Sequence, residues 1–105
     1  MTGIELIAAE RERQISGEGY TAERDKHYTY NQLARAGATY ALPAQERLFH
    51  SGISAPMTWP FSPDSWKPTP GDRKRELAKA GALIAAELDR MLEAEKEAEA
   101  SATHE

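Results

Sequence analysis

None of the 105 residues is a cysteine. That excludes a disulfide framework, a thiolate zinc site and a cysteine nucleophile. No stretch approaches the roughly 18 apolar residues of a membrane span. The opening MTGIELIAAERERQ reaches charge too early for the apolar run of a signal peptide. We therefore expect a soluble protein of the cytoplasm with no membrane partner. There is no phosphate-cradling glycine motif, HExxH pair or nucleophile elbow. His27, His50 and His104 are widely separated, and Glu46 with His50 makes only an i, i+4 pair. Such spacing assembles no metal site, so no cofactor is expected.

What is present is a single small domain's worth of chain. A domain of this length buries only about 60–65% of its unfolded surface, so its stability is marginal or shared with a partner. The net charge of −4 is unevenly spread. Residues 87–105 hold seven acids (Glu87, Asp89, Glu93, Glu95, Glu97, Glu99, Glu105) against Arg90 and Lys96. The rest of the chain is almost balanced, which argues against the broad basic face of a duplex-DNA binder. Glu10 and Glu12, two apart on a helix, point in different directions. They lack the aligned carboxylate pairs with which helical nucleoside-triphosphate pyrophosphohydrolases hold magnesium. No catalytic residues are assigned and no enzymatic activity is expected.

Three helices are predicted. Thr2 and Glu5 fit a capping box opening a helix over 3–16, its stripe formed by Ile4, Ile7, Ala8 and Ile15 with Arg11 among them. The loop 17–29 allows one turn after Thr21. Tyr30, Leu33, Ala34, Gly37, Ala38 and Ala41 define a second helix over 29–42 with a small-residue face. That face suits a central position, or a helix–helix homodimer. Residues 44–50 allow two helical turns. Residues 51–70 hold five prolines and both tryptophans, an ordered loop packed through its aromatics rather than a helix or central strand. Thr69, Pro70 and Asp72 start the last helix, 70–95, whose stripe runs through Leu77, Ala80, Gly81, Ile84, Leu88 and Met91. The fold is thus a small all-α, three-helix domain over residues 1–95, closed by a Pro/Trp-rich loop. An acidic, disordered tail follows over 96–105.

Two groups can bind an anionic ligand. Trp66, Lys67 and Arg73 stand where the last helix begins, and basic residues there oppose the helix dipole, a conflict that can mark a site. Tyr20, Arg24 and His27 place rings and cations in the first loop. Arg11, on an apolar stripe, either reaches the surface, meets a buried acid or contacts a ligand. Equally, Trp66 can plug the core while the cations line a solvated rim.

The motifs GIELIAAERERQISGEGYTAERD, LARAGATYA, WPFSPDSWKP and DRKRELAKAGALIAAELDR, in this order, resemble a family of small accessory proteins of tailed phages and prophages. The resemblance spans about residues 3–92. It implies a protein that binds a host protein, as an inhibitor of an antiviral defence system would. Members of that family carry an Asp pair and a His after the first-loop glutamate, and a Glu where Gln32 stands. This chain keeps only part of that pattern in Arg24-Asp25-Lys26-His27. The helix followed by EGYTAERD and a later basic segment also resembles the ryanodine-receptor-type repeat over about twenty residues, which implies a nucleotide-like ligand. A pocket of Tyr20, Arg24, Trp66, Lys67 and Arg73 would suit such a ligand.

Overall fold

The computed structural model describes residues 1–102; His104, Glu105 and the end of the expected tail lie outside the described residues. Helix α1 spans Gly3–Glu18. Its capping box forms as expected: Thr2 Oγ1 accepts the Glu5 N–H at 3.2 Å, and Glu5 Oε1 accepts the Thr2 N–H at 2.9 Å. The helix passes through Gly17 and stops at Gly19, whose φ of 72° is the left-handed conformation that ends helices. The turn after Thr21 is α2, Ala22–Asp25, capped by Thr21 Oγ1.

The second long helix is shorter than predicted. α3 spans Gln32–Ala41, because Asn31 turns left-handed before it and Leu42 is drawn into extended backbone by Pro43 behind it. Residues 44–50 form one 3-10 turn at Ala44–Glu46 instead of two helical turns. The chain then doubles back through a turn at His50–Ile53, with Gly52 at φ 80°, and Phe49 bridges antiparallel to Pro56.

The last helix, α4, spans Arg73–Ala102. Thr69 does not cap it. Thr69 to Asp72 is a turn instead: Gly71 sits at φ 82° and the Thr69 carbonyl accepts the Asp72 N–H at 3.0 Å. Asp72 is the cap, its Oδ1 accepting from the Arg75 N–H at 3.2 Å. Residues 96–102, expected to be disordered, continue the helix. No helix among the described residues is long and apolar enough to cross a membrane.

α4, not the second helix, is the centre. At about 1.5 Å per residue its 30 residues run most of the 52 Å length of the molecule, and α1, α2 and α3 each pack against it. Small residues set these crossings. A Cβ on Gly37 of α3 would stand 3.0 Å from the Ala80 carbonyl oxygen, and one on Gly81 would stand 2.6 Å from Ile7 of α1. Gly37 is therefore used inside the chain, which removes it from the homodimer face expected of that helix. The core joins Leu33, Ala36 and Tyr40 of α3 to Ala80, Leu83 and Ala86 of α4, with Ala55 and Trp59 from the loop.

Close packing on alanines rotates α4 relative to its apolar stripe. Of that stripe only Ala80 is buried, while Leu77, Ile84, Leu88 and Met91 are 46–55% exposed. Ile4 and Tyr30, expected on core stripes, also face solvent.

Gly37→Ala tests the crossing. Alanine favours a helix by about 1 kcal/mol, yet its methyl meets backbone that cannot yield. Overpacking of this kind costs about 1–3 kcal/mol, so the variant should unfold at lower urea concentration than the parent.

Candidate functional site

The C-terminal carbonyls of α3 have no partners within the helix. Two arginines from elsewhere supply them. Arg47 Nε donates to the Thr39 carbonyl at 3.1 Å and Nη2 to that of Tyr40 at 3.0 Å. Arg73 Nη1 donates to the carbonyls of Tyr40 at 2.9 Å and Leu42 at 3.1 Å, and Nη2 donates to that of Ala41. Both arginines then converge on Glu76, at 3.0 Å from Arg47 and 3.3 Å from Arg73. The Thr69 N–H completes the set at 3.1 Å. Burial alone would raise the Glu76 carboxyl. The hydrogen bonds from Arg47, Thr69 and Arg73 more than offset it and hold the group below the usual carboxylate range.

Trp66 belongs to this cluster. It stacks on Tyr40 with ring centroids 4.5 Å apart, meets Trp59 edge-on at 5.1 Å, and lies 5.1 Å from the Arg47 guanidinium. The Tyr40 hydroxyl accepts the Lys67 N–H at 3.1 Å; burial nevertheless pushes its pKa up to about 12. Lys67 thus contributes through its backbone, its carbonyl also accepting from Lys79 Nζ at 2.8 Å.

A second cluster surrounds Asp25, which is fully buried where α1, α2 and α4 meet. Arg11 Nη1 donates to the Tyr20 carbonyl at 3.1 Å and lies 3.9 Å from Asp25, while Nη2 is 3.4 Å from Asp89. Arg24 Nε is 3.5 Å from Asp25, and its guanidinium lies 4.0 Å from the Tyr20 ring centre and 5.0 Å from that of Tyr28. Neither Asp25 oxygen accepts a hydrogen bond. Burial pushes this carboxyl above its ordinary value; Arg24 and Arg11 pull it down, and Asp89 and Glu87 add to the rise.

The structure therefore divides the seven candidate residues. Arg11, Tyr20 and Arg24 come together around Asp25. Trp66 and Arg73 stand with Glu76 at the other end of the aromatic cluster. His27 is exposed in a shallow depression beside Arg90 and Glu93 and joins neither group. The single pocket expected of Tyr20, Arg24, Trp66, Lys67 and Arg73 does not form, because Tyr40 and Trp59 fill the space between them. Tyr20 and Lys67 line a cleft of only about 20 Å³, room for one water. Trp66 and Arg73 line a separate open groove of about 640 Å³ with Pro43, Arg47, Phe49 and Pro68.

Comparison with known families, curated proteins and solved structures finds no match. Among the described residues no group of three His, Asp or Glu side chains is placed to hold a metal ion. Three residues central to these clusters carried no site assignment from the sequence: Arg47, Glu76 and Asp25. For Asp25 a signal was present, an acid between Arg24 and Lys26 in a tyrosine-rich loop, but it reads equally as a local ion pair. For Arg47 there was none, since its partner lies 29 residues away.

The two buried carboxylates should respond to acid in opposite senses. Glu76, depressed in the fold, stabilises above the usual carboxylate range, and that contribution is lost as pH falls through its folded pKa. Asp25, raised in the fold, favours the folded state while protonated and loses that advantage as pH climbs from 3.8 through its folded value. Glu76→Gln should cost about 3–5 kcal/mol at neutral pH, because it leaves Arg47 buried without a counter-charge. Asp25→Asn should gain stability relative to the parent as pH rises across that window. Urea titrations from acid to neutral pH measure both, and a relative loss in Asp25→Asn would show that the arginines outweigh burial.

Proposed function

We propose that this chain is a non-catalytic binding protein that works by occupying a surface of another protein. In the setting that the phage resemblance implies, that partner is a host protein, such as a component of antiviral defence. One observation carries the reading: the loop at 47–57 holds large apolar side chains out in solvent. Leu48 is 71% exposed, and Phe49, Ile53 and Met57 are about half exposed. Isolated exposed apolar residues need no explanation, but a group on one loop marks an interaction surface.

The loop is held firmly enough to act as a docking element. Arg47 at its start is buried against Glu76, Ala55 and Trp59 near its end are buried, and the Phe49–Pro56 bridge closes it. Pre-ordering of this kind lowers the entropic cost of association. Phe49 also borders the groove lined by Pro43, Trp66 and Pro68, so an apolar anchor from the partner has a place to enter beside the loop. The arginines of that groove are committed to α3 carbonyls and to Glu76, which weakens the competing reading of a nucleotide ligand.

The test uses the intact chain and a Phe49→Asp/Ile53→Asp variant, with host extract and chemical cross-linking. The variant should capture the partner at least about tenfold less well at an unchanged melting temperature. Equal capture by both would remove the loop from the interface. A concentration-dependent rise in melting temperature with a nucleotide, lost in Arg73→Ala, would favour the small-ligand reading instead.

A further inference from the structure

The outer face of α4 carries a second apolar surface, separate from the loop. Lys74, Leu77, Gly81, Ile84, Leu88, Met91 and Glu95 follow one another at alternating steps of three and four. That is the spacing of a coiled-coil seam. Ile7 of α1 packs over Gly81, and the four large apolar members are 46–55% exposed. α1 borders this face at Gly81 and α3 borders it at Ile84, and the four large side chains stay about half exposed between them. Meanwhile the core is built largely of alanine: Ala36, Ala55, Ala78, Ala80, Ala82 and Ala86 are buried. A chain that buries so many alanines while leaving Leu77, Ile84, Leu88 and Met91 half exposed on one helix face has reserved that face for another surface.

We infer that the face is covered by a second copy of this chain, with the two α4 helices antiparallel. The charge order along the same face selects that occupant and that direction. The seam begins beside Arg73 and Lys74 and ends at Glu95, with Glu99 a turn further on. A two-fold axis at Ile84 sets Leu77 of each copy against Met91 of the other, and Lys74 beside Glu95, twice per dimer. A parallel pair would instead place Lys74 on Lys74 and Glu95 on Glu95. Residues 91–102 are all exposed, and Glu95 and Glu99 repel each other at i, i+4. The partner's basic helix start relieves that repulsion. None of the seam residues lies on the loop at 47–57.

Sedimentation equilibrium of the full chain, up to about millimolar concentration, should give twice the 11.6 kDa chain mass. Leu88→Glu/Met91→Glu should be monomeric with unchanged helical circular dichroism, since both side chains are exposed. Lys74→Glu and Glu95→Lys should each weaken self-association about tenfold through two lost ion pairs. The double reversal, and an equimolar mixture of the two single variants, should restore it. A wild-type chain that stays monomeric throughout overturns the dimer. A dimer that the double reversal fails to restore overturns the antiparallel arrangement.

Discussion

The Glu76 carboxylate, buried where α4 begins, ties the loop after α3 to the start of α4 and the turn that leads into it. It accepts from Arg47 in the loop after α3, from Arg73 one turn back on its own helix, and from the Thr69 N–H in the turn that precedes it. The same arginines terminate α3 by taking its last carbonyls. A negative charge here allows two guanidiniums to stand within a few ångströms of each other and to serve as the cap that α3's own sequence lacks. The basic cluster that looks like a ligand site along the sequence is thereby consumed by structure. Only the open side of the groove, floored by Trp66 and Pro68, faces outward.

Close approach is the second constraint. Alanine and glycine on α3 and α4 let the backbones come together, so the core gains contact density from proximity rather than from large side chains. The cost is that little apolar area is removed from water by the chain alone, which fits a domain of this size. Apart from Met1, Ile4, Leu6 and Tyr30, the large apolar side chains left outside lie on the 47–57 loop or on α4.

Much of the fold was legible in the sequence because its signals are local. The Thr2–Glu5 capping box and the stop before Pro43 each depend on neighbours a few residues apart, and the aromatic packing of the proline-rich loop is announced by its composition. What failed depended on which face a helix turns inward. The Leu77–Met91 stripe reads as core by periodicity alone, yet the tightest packing chose the alanine face a third of a turn away. The candidate site failed for a related reason. Tyr20 and Arg24 were recognisable together because they share one loop, and a buried acid was one of the outcomes open to Arg11, whereas the Arg47–Glu76 pair joins distant segments through charge that no local pattern announces. Helix propensity of the Ala- and Glu-rich end of α4 was underestimated: alanine alone carries a strong preference for helix.

The two tryptophans have an optical consequence. Trp59 and Trp66 lie 5.1 Å apart with their planes at 62°, inside a cluster that also holds Tyr40 and Phe61. Both indoles therefore belong to one packed cluster, Trp59 buried within it and Trp66 half-buried at the groove, and their near-ultraviolet bands are coupled by that crossed geometry. The intrinsic emission of the chain is a reporter of one event, the seating of the proline-rich loop on α3 and α4. The outer half of α4 contains no aromatic residue, so its ordering leaves this signal untouched and is visible only in the far-ultraviolet amide bands.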